Sequence, residues 1–509
     1  MLNDSILTLM TFLPLAGAII VAFLPRKGRI IQWWTLLVSI ATFLLTLHLP
    51  AHFDYGKTGF QFGVNLPWIA HPAIRYHLGV DGFSMWLIVL TGFLMPIGVL
   101  VSWNAIKTRT KEFYLLFLIQ QTAMLGVFVS LDLFLYYAFW ELTLVPMAIL
   151  IAMFGRSHRG PHAAIKFFLY AFIPSALLLV AILWLYAHTG TFEFGQLQAA
   201  IHSGAGFSAQ GLIWVSLAFL AAFAVKVPVF PLHGWLSDAI SEAPTAMAMV
   251  IAGKLGLYSI LRFNLGLFPD QSRTFAPWLI ALAVIGLVYG GLVALVQKDM
   301  KRLLAYSILS SLSFCTLGIF SFTVTSLNGA VYQTITEGLS GGAILVLLGA
   351  LYERYGTYDM SQYGGLSKRV PHMATLFVFT VLSLIGLPIL NGFVGEFLVL
   401  SGSFPEHHAW VVIATTGVIL SASYMLWMVQ RTFYGPPSAL AEGRAAQDIT
   451  LREGVMVWPM IVLMVAMGVA SPYWIKAIES GIKPLANVTL SSTTLPAQSA
   501  LETPKGMAR

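Results

Sequence analysis

The chain of 509 residues contains one cysteine, Cys315, and only 10% of its residues are charged. A single thiol excludes an intrachain disulfide and any thiolate-held metal or iron–sulfur centre. So little charge excludes an ordinary soluble domain, in which about 25% of residues are charged. No glycine-rich nucleotide loop and no haem or flavin signature is present, so the chain holds no cofactor of its own. Lys and Arg number 28 against 21 Asp and Glu, but they are scattered through short loops and form no cluster, which excludes a nucleic-acid partner. His158 and His162 stand four apart without cysteine or carboxylate companions, so no metal site is expected there.

What remains is apolar: 58% of the residues are hydrophobic and the mean hydropathy is +0.81. A hydrocarbon core of about 30 Å takes about 20 apolar residues per helix. On that measure the chain is an all-α integral membrane protein with about fourteen transmembrane helices centred near residues 15, 39, 94, 121, 143, 176, 218, 252, 286, 311, 340, 387, 420 and 464. Residues 1–476 read as one polytopic domain and 477–509 as a polar tail with little structure. The first apolar stretch, Ile6 to Leu24, has no basic segment before it and reads as a retained span. Between spans two and three lies a longer loop, about His48 to Asp81, with Trp68 and Tyr76 as interface anchors.

Basic residues fill alternate loops, for example Arg26 and Arg29, Lys107 to Lys111, Lys298 to Arg302, and Arg431 to Arg452. The loop from Ala187 to Phe207 has none. The positive-inside rule puts the basic loops in the cytoplasm and both termini on the non-cytoplasmic side. Two helices, seven and twelve, should be discontinuous. Span seven carries Lys226-Val227-Pro228 and Pro231; span twelve carries Gly386-Leu387-Pro388, Asn391-Gly392 and Gly395-Glu396. Proline removes a backbone donor and clashes with the preceding turn. The two breaks lie five spans apart, an odd offset, so the units containing them are expected to be two inverted five-helix repeats, about 113–263 and 275–433.

Five ionisable residues interrupt the apolar stretches: Glu141, Lys226, Lys254, Glu337 and Glu396. A charge at mid-bilayer costs about 2.5–3.5 kcal/mol even on lenient scales, and such residues mark ion paths, pairs or water-filled cavities. Both signs spread over several spans favour a proton path over an organic-solute pocket. Glu141 is the expected charge partner of Lys226. A pair at about 4 Å interacts by ~4 kcal/mol at an effective dielectric of 20, enough to switch a lysine between holding and releasing a proton. Lys254 is the expected onward relay, Glu396 the terminal group, and Glu337 lies between them. The bland alternatives are a protonated packing carboxyl for Glu141 or Glu337, snorkelling for Lys226, and carbonyl contacts for Lys254. His233 and Asp238 read as loop or cap residues.

The motifs resemble the M-type membrane subunits of NADH:quinone oxidoreductase, respiratory complex I, within an antiporter-like superfamily. Phe139-Trp140-Glu141-Leu142 with Val145-Pro146-Met147 is similar to the family's fifth span, and Ala224-Val225-Lys226-Val227-Pro228 with Pro231 to Leu236 and Glu242-Ala243-Pro244-Thr245 to its seventh and eighth. Tyr76 to Gly82, Asp299 to Ser307, and Tyr424 to Met428 with Arg431 extend the likeness from about Phe12 to Pro472. Gly395-Glu396-Phe397 resembles the M type, where the L and N types usually have lysine.

The resemblance implies one proton channel of a respiratory membrane arm in a bacterial inner membrane. Glu141 and Lys226 would be the charge pair, Lys254 the central relay and Glu396 the exit group. Flavin, iron–sulfur clusters and quinone would belong to partner subunits, with L- and N-type chains as neighbours. Three departures stand out. Ser311 and Glu337 occupy positions where the family commonly has histidine, and Gly253 touches Lys254 directly. Two other readings remain open: a subunit of a sodium/proton antiporter or membrane-bound hydrogenase, and a structural subunit whose channel does not conduct.

Overall fold

The computed structural model describes residues 2–26, 29–204, 206–251, 254–439 and 447–491. Ala252 and Gly253, Arg444 and residues 492–509 lie outside the described residues.

Thirteen described helices are long and apolar enough to cross a membrane. The first seven are Asn3–Phe23, Ile30–His52, Gly82–Ser102, Thr110–Val129, Leu133–Phe154, Gly160–Thr189 and Ala209–Lys226. Span eight runs Thr245–Leu265, and spans nine to eleven are Pro269–Leu295, Met300–Phe320 and Val324–Tyr355. Spans thirteen and fourteen are His408–Phe433 and Leu451–Val469. Span twelve is made of two shorter pieces, Pro371–Leu384 and Asn391–Ser403. Thirteen of the fourteen expected spans thus have a helix long and apolar enough at the expected place, and the expected twelfth falls on the two shorter pieces.

Side-chain polarity sorts these helices. The central stretches of spans eight and eleven are wholly buried inside the protein, whereas little of span six is buried. On span six Ile165, Leu169, Ile173, Leu177 and Val180 form an outward apolar stripe suited to lipid. Spans eight and eleven carry Lys254 and Glu337, so these two groups lie in the middle of the bundle.

Helix starts are fixed locally. Asp81 and Ser84 form a reciprocal capping box at span three. Asp132 accepts from Phe134 and Leu135 amides at span five, and Asp299 caps span ten. These side chains satisfy amides that have no partner within the helix.

Both proline-containing breaks form as expected, and by a similar device. After Lys226 the Val229 amide reaches back five residues to the Ala224 carbonyl at 2.8 Å, and the Trp235 indole covers the Val225 carbonyl at 2.9 Å. The chain then enters a short helix, Leu236–Glu242. In span twelve the Leu387 amide reaches back five residues to Leu382 at 3.0 Å. Gly386 turns there with φ +74°, and Ser340, Ser383 and Asn391 link the broken ends by side-chain hydrogen bonds. Freed backbone groups at membrane depth are thus satisfied within protein.

Two segments differ from the sequence reading. The loop before span three contains an antiparallel hairpin, β1 (Gln61–Ile69) and β2 (Ile74–Val80). Tyr76 on β2 is half-buried and donates to Thr8 of span one at 3.0 Å, while Trp68 stays exposed. Residues 477–491, expected to belong to a tail with little structure, are part of a helix, Ser471–Ser491, against span three. Ala477, Ile478, Ile482, Leu485 and Ala486 are buried along one face, and Lys476, Glu479 and Lys483 stand elsewhere on the helix. This amphipathic pattern is too polar on average for a hydropathy window to find. Gly82 admits the helix: a Cβ there would lie 1.7 Å from the Ala477 carbonyl oxygen.

At the basic-loop face, Asp238 pairs with Lys166 at 2.7 Å and Arg302 at 3.1 Å, and Arg156 pairs with Asp299 at 2.6 Å. Partial burial opposes ionisation of Asp238, but the two cations outweigh it and hold its carboxyl below the ordinary carboxylate value. Two outcomes are expected. Gly82→Ala should lower the melting temperature by loosening the last helix, a loss of about 1–3 kcal/mol, while Gly454→Ala, whose nearest neighbour is 3.8 Å away, should not. Asp238→Asn should cost about 1 kcal/mol at neutral pH. Because the folded value is depressed, that difference is full above about pH 3.9 and disappears as pH falls through the folded value, which a series of melting curves against pH would show.

Candidate functional site

Span five bends at Thr143, where its helix is interrupted between Leu142 and Leu144. Pro146 explains the bend, since it cannot donate to the Leu142 carbonyl. The bend sets Glu141 and Thr143 on either side of a polar junction. Glu141 is half-buried and accepts a short hydrogen bond from the Ser175 hydroxyl of span six. Lys226, at the end of the first part of span seven, donates to Thr143 Oγ1 at 3.2 Å. Its ammonium also lies 5.3 Å from the Trp140 ring and 5.6 Å from Phe167, within cation–π range.

No ion pair of 4.0 Å or less joins Lys226 or Lys254 to a carboxylate among the described residues. The Glu141–Lys226 interaction is therefore one of neighbouring charges, with separate hydroxyl partners, and not the 4 Å contact expected from sequence. A charge held at that remove is easier to modulate than a closed salt bridge, because its energy falls with distance and with each intervening water.

A small cavity opens at Lys226, lined by Gln120, Thr143, Trp235, Val250, Ile251 and Leu255 among others. About 20 Å³ of it is reachable by the centre of a water molecule; a water takes about 10–15 Å³ of such space. Gln120 Oε1 is buried there without a protein partner. The cavity thus points from Lys226 to span eight, where Lys254 adjoins Leu255.

Lys254 is 2% exposed. Its one hydrogen bond runs to the Met249 carbonyl at 3.5 Å, the limit for such a bond. Its stem lies on Gly338 of span eleven: a Cβ on that glycine would come within 2.6 Å of Lys254 Cε and 2.9 Å of Nζ. Gly338 follows Glu337, which is 5% exposed and opens a π-helical turn, Glu337–Gly341. A second π-helical turn, Ile260–Leu265, follows Lys254 on span eight. Such turns expose backbone and re-aim side chains, and are frequent at functional sites.

Glu337 and Glu396 line a second cavity with Ser311, Gln333, Ser421 and Tyr424. About 30 Å³ of it is open to water centres. Glu396 rests against Gly386 of the span-twelve break, where a Cβ would meet its Oε2. Of the five predicted residues, Lys226 lines the first cavity and Glu337 and Glu396 the second; Lys254 lies against Gly338 beside Glu337, and Glu141 lines neither cavity. His158 and His162 are exposed, and no group of three or more His, Cys, Asp or Glu able to hold a metal exists among the described residues. His233 stacks on Phe230 and meets Tyr289 at a tilt.

Two buried cations escaped the sequence reading. Arg262 pairs with Asp81 at 2.7 Å beneath Phe60 and Phe83, tying span eight to the start of span three. Lys301 is 2% exposed and donates to the Ala243 carbonyl at 2.6 Å, fixing the end of the short helix after the first break. Lys301 sits within the Asp299 to Ser307 motif of the resemblance. Neither stands out by hydropathy, because Lys301 reads as one more basic-loop residue.

Residues 130–421 match the family described as NADH:quinone oxidoreductase/Mrp antiporter, transmembrane. The chain is 39% identical over 486 residues to NADH-quinone oxidoreductase subunit M of Rhodobacter capsulatus, with 92% of this chain and 93% of that protein covered. It is 36% identical over 475 residues to the subunit M of Rickettsia prowazekii, covering 92% and 96%. Among solved structures, a chain of respiratory complex I from Thermus thermophilus superimposes with a TM-score of 0.86 at 29% identity, covering 95% of this chain and 99% of that one. A chain of the Mrp complex from a Dietzia species gives 0.83 at 20% identity, covering 97% and 98%, a likeness of fold alone. By sequence along nearly its whole length, and by the course of its helices, this chain belongs to the NADH:quinone oxidoreductase/Mrp antiporter family of membrane proteins.

Proposed function

We propose that this chain is the M-type, proton-translocating subunit of a bacterial NADH:quinone oxidoreductase, and that Glu141, Lys226, Lys254, Glu337 and Glu396 carry the proton. The observation that supports it most is that Lys226 lines one water-sized cavity and Glu337 and Glu396 a second, with Lys254 packed on Gly338 beside Glu337. Groups of both charge signs at that depth are expensive, about 2.5–3.5 kcal/mol each, and a relay accounts for all of them together.

In this reading Lys226 holds a proton while Glu141 is ionised nearby. A change at Glu141, through its Ser175 contact or its charge, lowers the hold of Lys226. The proton then passes by the Gln120 cavity to Lys254, from Lys254 to Glu337, and on to Glu396. Gly338 keeps the lysine stem beside the Glu337 turn, so the central transfer depends on a missing Cβ. Glu337 takes the place of a histidine as the central acceptor, which makes the middle of the path carboxylate chemistry. The two five-helix units, 113–263 and 275–433, would each supply one cavity, inverted relative to the other.

The work is supplied from outside the chain. Electron transfer from NADH to quinone, through flavin and iron–sulfur clusters, belongs to partner subunits, and L- and N-type chains would flank this one in the inner membrane. Both termini would lie on the non-cytoplasmic side. Moving one charge against 100 mV takes about 2.3 kcal/mol, so the change delivered to Glu141 and Lys226 need be only a few kcal/mol.

Lys226→Ala in the intact complex should leave assembly normal and lower NADH-driven proton pumping by about tenfold or more, a floor set below the roughly 10²–10⁴-fold typical of a proton-transferring group. Normal pumping by a fully assembled variant would sink the relay and favour a structural subunit. Gly338→Ala should act on the same path without removing any ionisable group: the added methyl displaces Lys254, and pumping should drop by several-fold, roughly as for a misplaced proton-transfer partner. Vesicle acidification per NADH oxidised reads both.

A further inference from the structure

The cavity between Glu337 and Glu396 has two polar atoms that the protein leaves unanswered. Gln333 is 3% exposed, and its Oε1 is buried with no hydrogen-bond partner. Ser311 stands close to the Glu337 carboxyl, yet its buried Oγ makes no bond of acceptable geometry. Buried polar side-chain atoms are satisfied in the great majority of cases, by protein or by ordered water. The remaining hydroxyls of the lining are occupied: Ser310 donates to the Leu287 carbonyl at 2.9 Å, Ser421 to Val418 at 2.8 Å, and Tyr424 to Ser307 at 3.1 Å. The two free atoms belong to opposite neighbourhoods. Gln333 lies one turn before Glu337 on span eleven and presses its oxygen on Gly395, where a Cβ would clash with it, one residue before Glu396. Ser311 lies on span ten beside Glu337.

We propose that this cavity is a specific water site, and that Gln333 Oε1 and Ser311 Oγ are the protein groups that hold its water between the two carboxyls. The inference rests on the relay reading above and adds to it the two positioning residues that make the last transfer possible. About 30 Å³ suits two waters. One is anchored by Ser311 next to Glu337. The other accepts its place from Gln333 next to Glu396. The transfer balances without a further reactant. Glu337 gives its carboxyl proton to the first water, the first passes one of its own to the second, and the second gives a proton to the Glu396 carboxylate. Both waters are regenerated, Glu337 is left ionised and Glu396 neutral. Protonation of Glu337 from Lys254 resets the step.

A dry cavity predicts the opposite response to substitution. Removing an unpartnered buried polar atom from a dry site is neutral or stabilising, and it would leave pumping alone. The test uses the intact complex in sealed vesicles, with Ser311→Ala, Gln333→Leu and the pair combined, and Ser311→Thr as the conservative variant. Glu396→Gln is run beside them. Acidification per NADH oxidised is measured in ordinary and heavy water, with a melting curve for each complex. The proposal expects each single variant to lose at least threefold in pumping, with an enlarged solvent isotope effect, and Ser311→Thr to stay within twofold of the parent. Normal pumping and an unchanged isotope effect in the combined variant, with Glu396→Gln defective, would overturn the water site and leave the relay standing. Normal pumping in Glu396→Gln as well would overturn the relay and this inference with it. Should Gln333→Leu fail to assemble, Ser311→Ala decides the matter, since it deletes a single unbonded oxygen.

Discussion

A lysine ammonium with no carboxylate in contact, deep among apolar helices, is the constraint around which the bundle is organised. Lys254 has one long hydrogen bond and a bed of glycine. Its charge can be tolerated only where neighbours of opposite sign and water are close, because the low dielectric that penalises it also magnifies every compensating field. Spans eight and eleven are therefore the two whose central stretches lie wholly inside, and both leave regular α-helical geometry near their ionisable residue. The remaining helices shield this pair, with apolar faces such as that of span six turned outward.

The breaks in spans seven and twelve serve the same end. Each frees backbone groups beside an ionisable residue, and each recovers them with an amide reaching five residues back. The recovery differs in detail. Span seven uses the Trp235 indole, whereas span twelve uses the Ser340–Ser383–Asn391 cluster. Lys301 and Arg262 hold the two ends of the span-seven and span-eight region from opposite sides, one through a carbonyl and the other through Asp81. They fix the backbone around the span-seven break and span eight, which is a reason for buried charge besides transport.

Hydropathy and proline placement made the fourteen crossings and both breaks legible, because each is a property of contiguous residues. The five interior ionisable groups were legible for the same reason. What escaped depends on partners far along the chain. That Glu141 and Lys226 do not touch follows from the positions of Ser175 and Thr143, which no local pattern reveals. In the hairpin β1 is mostly exposed and β2 is buried or half-buried throughout, so neither strand alternates clearly. The helix at 471–491 is polar on average, and its apolar stripe becomes visible only at helical spacing. Gly338 carried no signal at all, since a glycine before a leucine in a span has many uses.

That last helix also bears on how the molecule comes into being. It fits against span three at Gly82 and Phe83, and Gly481 in turn lies close to Phe83 and Asp81. Asp81 is the residue that caps span three and binds Arg262. The buried pair that secures span eight is thus covered by a segment that follows span fourteen in the chain. The interior therefore cannot be completed span by span in chain order. Asp81 gains its cover only once residues 471–491 have docked against span three.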